Sequence, residues 1–220
     1  MTPIIELIVL GGIVVFLVLR LRNVLGTRDG YEPPAAPAVD RREPSPKKRP
    51  FEVIEGGVDR DISDHVDPDS ASGKALTRMK AAEPGFSVTE FLSGARAAYE
   101  MILMDFEAGK MDALKPFLSD DVYDSFNSVV QAREADGLRI DATFIGIREL
   151  KLTEAEFDPK TSEGEVTIRY VAELTSVVRD RAGQIVEGNP EEIKRQRDVW
   201  TFARKMGSAD PNWQLVATGG

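Results

Sequence analysis

Apolar residues change their spacing along this chain, and each change marks a different kind of segment. From Ile4 to Leu19 the run is apolar apart from Glu6. As a helix it reaches roughly 24 Å, slightly short of a hydrocarbon core of about 30 Å. Leu21, Val24 and Leu25 extend it, and Arg20 and Arg22 are placed to snorkel to the headgroups. A cleaved signal would put basic residues before the run and a small-residue site after it. Here the arginines follow the run, at Arg20, Arg22 and Arg28. By the positive-inside rule, residues 1–25 are expected to form an uncleaved single-span anchor, N-terminus outside and body in the cytoplasm.

Residues 26–83 lose the pattern. Six prolines between residues 30 and 50 rule out a regular helix or central strand there. Arg41, Arg42, Lys47, Lys48 and Arg49 give this spacer a basic cluster. Beside a cytoplasmic membrane surface each such charge contributes about 1 kcal/mol of attraction to anionic lipid; the same cluster also suits a solvated linker. Residues 51–73 turn acidic, with few apolar positions, and read as a linker that is mostly disordered or loosely docked. Asp61, Asp64, Asp67 and Asp69 lack the glycine and terminal glutamate of a calcium loop. His65, the one histidine, falls in this stretch and is expected at the surface. Lys74–Ala82 offers a short helix before Pro84.

From residue 84 the pattern is that of a folded domain, 84–220. Ser87 and Glu90 form a capping box. Phe91, Ala95, Ala98, Tyr99, Ile102 and Phe106 then recur at helical spacing up to Gly109. A short turn follows at 111–118, interrupted by Pro116. A third helix is capped by Ser119 or Asp120, carries Val122, Phe126, Val129, Val130 and Arg133 on one face, and ends at Gly137. Past Gly137 the period falls to two. Strands are expected over 138–152, with a bulge near Gly146 where the alternation changes phase, then around 166–174, 194–204 and 212–217. Helices first and an antiparallel meander after them make an α+β fold, with the helices on one face of a curved sheet.

Composition and charge narrow the chemistry. The net charge of −9 argues against nucleic acid as main partner. With no cysteine there is no disulfide and no thiolate metal site, and a single histidine restricts triads and zinc sites. No nucleophile elbow, P-loop, dinucleotide fingerprint or zinc-protease motif occurs, so no catalytic residue, metal or cofactor is assigned. Glu173 and Asp198 lie within strands, where they face solvent or line a cavity. The aromatic residues say more. Trp200 and Phe202 share a strand face with Arg204, Trp213 and Leu215 share one on the next strand, and Tyr170 and Phe144 are expected to point the same way. Phe144, Tyr170, Trp200, Phe202 and Trp213 are therefore either core or the lining of an apolar pocket.

The segments "PGFSVTEFLSGARAAYEMILMDFEAGKMDALKPFLSDDVYDSF" (84–126) and "DVWTFARKMGSADPNWQLVATG" (198–219) resemble the Tim44-like domain family. The matching features are Phe86, Phe91 with Gly94-Ala95-Arg96, the Phe106/Gly109 helix end, Leu118/Tyr123/Phe126, and the Trp200-x-Phe202-x-Arg204 … Trp213-x-Leu215 hairpin. The resemblance implies a cone-shaped α+β domain similar to the nuclear-transport-factor-two superfamily, with a large apolar pocket. It implies membrane association, anionic lipid such as cardiolipin as a partner, and a scaffold role in protein transport or ribosome tethering. The expectation is a non-enzymatic adaptor in a bacterial inner membrane that holds a protein partner or lipid at its cytoplasmic face. The alternatives are an isomerase- or dehydratase-like enzyme using the same pocket, and a structural subunit of a membrane complex.

Overall fold

The computed structural model describes residues 59–219. The expected anchor at 1–25, the Pro-rich linker, and Arg20, Arg22, Arg41, Arg42, Lys47, Lys48 and Arg49 lie outside the described residues. Among the described residues no helix is long and apolar enough to cross a membrane.

The sheet is an antiparallel meander built on two long strands, β1 (Arg139–Asp158) and β2 (Glu163–Arg179). β2 follows the period-2 rule closely: Val166, Ile168, Tyr170, Ala172 and Leu174 are all buried on one face. β1 does not. Its core-side residues run Phe144, Ile147, Leu150, Leu152, Ala155 and Phe157, with three steps of three residues among the steps of two. Each step of three coincides with a register shift against β2, at Phe144/Gly146, Ile147/Glu149 and Leu152/Glu154. An extra residue at a bulge returns the apolar side chains to the same face and bends the strand. One bulge was expected from the sequence; there are three, and the strand runs to Asp158 rather than residue 152.

β3 (Ile185–Gly188) was not anticipated. It returns along the end of β2 after the Asp180–Gln184 turn. β4 (Lys194–Lys205) then takes up the rest of the same β2 edge, and β5 (Gln214–Gly219) closes the sheet in the order β1-β2-β4-β5.

Before the sheet come α1 (Arg60–Ser63), α2 (Ala71–Ala82), α3 (Val88–Glu107), α4 (Met111–Leu114), a 3-10 turn (Lys115–Phe117) and α5 (Asp120–Ala135). α3 and α5 match the expected helices. Gly109 and Gly137 follow their ends with φ of 75° and 70°, a conformation that favours glycine. α2 and α3 lie against β1 and bury Leu76, Met79, Phe91, Tyr99 and Ile102 with the inner face of the sheet. Val129 departs from the expected apolar face of α5 and is 53% exposed.

The linker expectation needs correction at its C-terminal end. Residues 59–83 are packed: Ile62, Leu76 and Met79 are at most 2% exposed. Gly73 lets α2 approach the preceding turn so closely that a Cβ would lie 2.4 Å from the Asp67 carbonyl oxygen. Asp61 is not a solvated linker residue but a helix cap. Its carboxylate accepts from the backbone N–H of Val88 (2.7 Å) and Thr89 (2.8 Å) and from the Ser87 hydroxyl (3.1 Å), while Lys80 pairs with it at 2.8 Å. Burial alone would raise the Asp61 pKa, but Lys80 and the α3 N-terminus outweigh that and hold it well below the usual carboxylate range. His65 is half-buried, its Nε2 3.3 Å from Thr89 Oγ1.

Candidate functional site

The concave site that forms lies beside the first half of α3, where Gly85–Ser87, α3, Phe117 and the β4–β5 connection meet. Its aromatic side is Phe86, Phe91, Phe202 and Trp213. Phe91 and Trp213 ring centroids are 4.6 Å apart, Phe86 and Trp213 5.8 Å, Phe91 and Phe202 6.2 Å. Small residues of α3, Gly94, Ala95 and Ala98, line it as well, on the same helix as Phe91, and the groove has a volume of about 350 Å³. A Cβ added to Gly94 would meet nothing within 4 Å.

Arg204 and Glu83 hold the aromatic side in place. The Arg204 guanidinium lies 5.2 Å from the Trp213 ring, and its Nη2 donates to Glu83 Oε1 at 2.6 Å. Glu83 Oε2 accepts from the Gly207 N–H at 2.8 Å. Burial works against ionisation of Glu83, but the Gly207 N–H and Arg204 prevail and lower its pKa. The rim cation is thus engaged, and the exposed Glu90 at the other side leaves the mouth weakly acidic.

The five aromatic candidates split. Trp213 lines the groove, and Phe202 reaches it from a core position at 2% exposure. Tyr170 and Trp200 are core residues, 0% and 4% exposed. Tyr170 stacks on Tyr99 at 4.2 Å and 16°, and Trp200 packs against Tyr99 at 4.7 Å. Phe144 is half-buried, 6.3 Å from Tyr99. Phe86 and Phe91, and with them Gly94, were missed as lining. Their signal was present in a glycine placed mid-helix, with no turn to justify it, on the same helix as Phe91 and Ala95.

The carboxylates singled out from the strands are both engaged. Asp198 accepts from the Tyr99 hydroxyl at 2.5 Å and from Gln196 Nε2 at 3.2 Å. Burial raises its pKa, more than these two donors lower it. Glu173 is gripped by Arg148 (2.7 Å to Nε) and Arg195 (3.1 Å to Nη2), which lower its pKa. The Tyr170 hydroxyl donates to the Ala95 carbonyl at 3.2 Å and serves the core. None of these groups lines the groove. Among the described residues no three His, Asp or Glu side chains converge as a metal-ligand set.

Comparison with known proteins returns the same domain. The Tim44-like domain profile matches residues 72–220. The human mitochondrial import inner membrane translocase subunit TIM44 is 26% identical over 147 residues, covering 65% of this chain and 32% of that protein. The rat protein of the same name is 24% identical over the same span. The chain thus matches about a third of the length of these relatives. Among solved structures, the intermembrane-space region of the chloroplast protein ARC6 superposes with a TM-score of 0.37 and 12% identity, over 56% of this chain and 94% of that one. The profile begins at residue 72, inside α2, in keeping with the early onset of packing. With the match extending over most of its length, the chain belongs to the Tim44-like domain family.

Proposed function

We propose that this protein is a non-enzymatic adaptor that holds a partner protein at a membrane, and that the groove beside α3 is where the partner is gripped. The observation that carries the reading is Gly94. A glycine inside a helix costs about 0.5–1 kcal/mol relative to alanine. Neither close packing nor a positive φ calls for one here. What Gly94 provides is open space in a lining it shares with Phe91 and Trp213, the room an apolar side chain needs. Because Arg204 is already paired and the free rim charge is Glu90, the mouth favours a neutral or basic polypeptide over an anionic headgroup. Membership of the Tim44-like domain family, with relatives named as subunits of an inner-membrane translocase, supports a role at a membrane. Residues 1–25 supply the anchor in this reading. The domain then stands on the cytoplasmic side of a bacterial inner membrane, and the basic residues from Arg20 to Arg49 add attraction to anionic lipid.

The test is a photo-crosslinking residue at Asn212, which borders the groove, in the full chain in living cells. The expected result is one discrete protein adduct that persists with Gly94→Ala and is lost with Gly94→Leu, which fills the space. A lipid-only adduct, or a protein adduct indifferent to Gly94→Leu, would sink the proposal. Deleting residues 1–25 should move the chain out of the membrane fraction.

A further inference from the structure

Among the side chains that line the groove, Glu83, Glu90 and Arg204 ionise. Arg204 is the unusual one. Its side chain is 8% exposed, and a charge so deep beside an apolar surface is costly unless it is paired. Glu83 supplies the pair. Proline disfavours helical geometry in the residue before it, and Glu83, ahead of Pro84, leaves α2 with φ −139° and ψ 93°. From there its carboxylate reaches donors 121 and 124 residues further along the chain, Arg204 Nη2 at 2.6 Å and the Gly207 N–H at 2.8 Å. Both oxygens are engaged, one by β4 and one by the turn that follows it, so the carboxylate is fixed in place. The guanidinium, by contrast, is only partly used. Nη1 has a long contact to the Pro211 carbonyl at 3.4 Å, and the buried Nε has no acceptor among the described residues. An arginine binds a carboxylate best through two parallel N–H groups. Glu83 therefore neutralises Arg204 without filling its fork.

A ligand carboxylate or phosphate could use that fork only by displacing Glu83 from two donors, and would leave a second anion unpaired beside it. A neutral or cationic ligand displaces nothing, and the exposed Glu90 at the mouth attracts a cation. We propose that Glu83 is the residue that decides which ligands the groove admits: it masks an anion-binding fork on Arg204, so that an apolar group enters on a neutral or cationic chain and is refused on an anionic one. The assignment rests on the groove being a binding site, as proposed above, and places its selectivity on one side chain at the end of α2. It also makes the selectivity reversible. With a neutral residue at position 83, Arg204 is left as an unpaired, desolvated cation in the groove lining. Glu90 does not cancel it, because an exposed charge is screened by water and salt.

The test uses the full chain in zwitterionic nanodiscs, labelled with fluorotryptophan. The chain has two tryptophans, so the Trp213 resonance reports the groove while Trp200, in the core, serves as internal reference. Hexanol, hexylamine and hexanoate at pH 7 offer one apolar chain with a neutral, a cationic and an anionic head. In the parent, hexanol and hexylamine should move the Trp213 resonance, and hexanoate should bind about tenfold more weakly than hexanol, a readout that needs no variant to fold. Glu83→Gln keeps the shape and an acceptor for the Gly207 N–H. There hexanoate should bind at least as tightly as hexanol, a change of about tenfold in the ratio. Adding Arg204→Gln should take that gain away. Glu90→Gln should weaken hexylamine without admitting hexanoate. Hexanoate binding as tightly as hexanol in the parent, an unchanged ratio in folded Glu83→Gln, or a gain that survives Arg204→Gln would each overturn the proposal and leave the groove a binding site. A Trp213 resonance that moves with none of the probes would overturn both.

Discussion

Replacing Asp61 by asparagine tests whether the start of α3 is capped from within or from a distance. The sequence offers Ser87 and Glu90 as a local box, but Ser87 Oγ reaches the Glu90 N–H at only 3.3 Å. The Asp61 carboxylate serves the Val88 and Thr89 N–H groups at 2.7 and 2.8 Å, where the helix dipole favours negative charge. A single cap is worth about 0.5–2 kcal/mol, and a hydrogen bond to a charged group about 1.5–3 kcal/mol. Asparagine keeps an acceptor oxygen but loses the charge and the Lys80 pair, while Lys80 retains Asp59 at 2.7 Å. The expected loss is about 2–3 kcal/mol, which at a urea slope of about 2 kcal/mol per molar moves the midpoint down by about 1–1.5 M. The measurement is urea unfolding of the compact unit Val53–Gly220, with Glu90→Ala as comparison at less than about 0.5 kcal/mol. The pH dependence has a definite sign. Because folding depresses the Asp61 pKa from 3.8, its contribution is complete above that value and is lost as pH falls toward the folded pKa. The gap between parent and Asp61→Asn is therefore constant near neutrality and closes in acid. A loss confined to Glu90→Ala, or a gap that widens in acid, would falsify the capping account.

Other substitutions probe separate parts of the molecule. Leu76→Ala removes a side chain with 0% exposure and should cost about 2–5 kcal/mol; near-neutral unfolding would return residues 71–82 to the linker. Gly94→Ala should raise stability by about 0.5–1 kcal/mol, read as a thermal midpoint up by about 1–4 °C, and a fall would mean the groove wall has no room. Arg204→Ala strips the Trp213 stack and leaves Glu83, 24% exposed, without its cation. A loss of about 1–3 kcal/mol is expected, with a shift in Trp213 fluorescence. Asp198→Asn retains an acceptor for Tyr99 and removes a carboxylate whose charged form burial disfavours. Since the folded pKa is raised, the parent loses stability as pH rises through it. The variant should therefore match or exceed the parent at pH 7, and its advantage should vanish in acid; melting curves across pH decide it.

Backbone periodicity alone sets the elements and their order. Helical spacing from Phe91 to Phe106, the glycines at 109 and 137, and the clean alternation of Val166–Leu174 are local consequences of backbone period, and each reappears in place. Even the irregularity of β1 left a trace in a phase change near Ile145. Packing of strand on strand settles the three bulges, because a three-residue step is legible only when the neighbouring strand defines which face is inward. Tertiary packing also decides that Asp61, Leu76 and Met79 belong to the fold. Their partners lie far along the chain, and a short acidic segment with sparse apolar residues looks like linker until something packs on it. The aromatic residues divided for the same reason. Period two placed Tyr170, Trp200, Phe202 and Trp213 on inward faces, but Tyr99 of α3 packs on the first two, while Phe91, near the start of the same helix, meets the last two beside the groove. There Gly94 leaves room, and a groove remains where the sequence alone allowed either core or pocket.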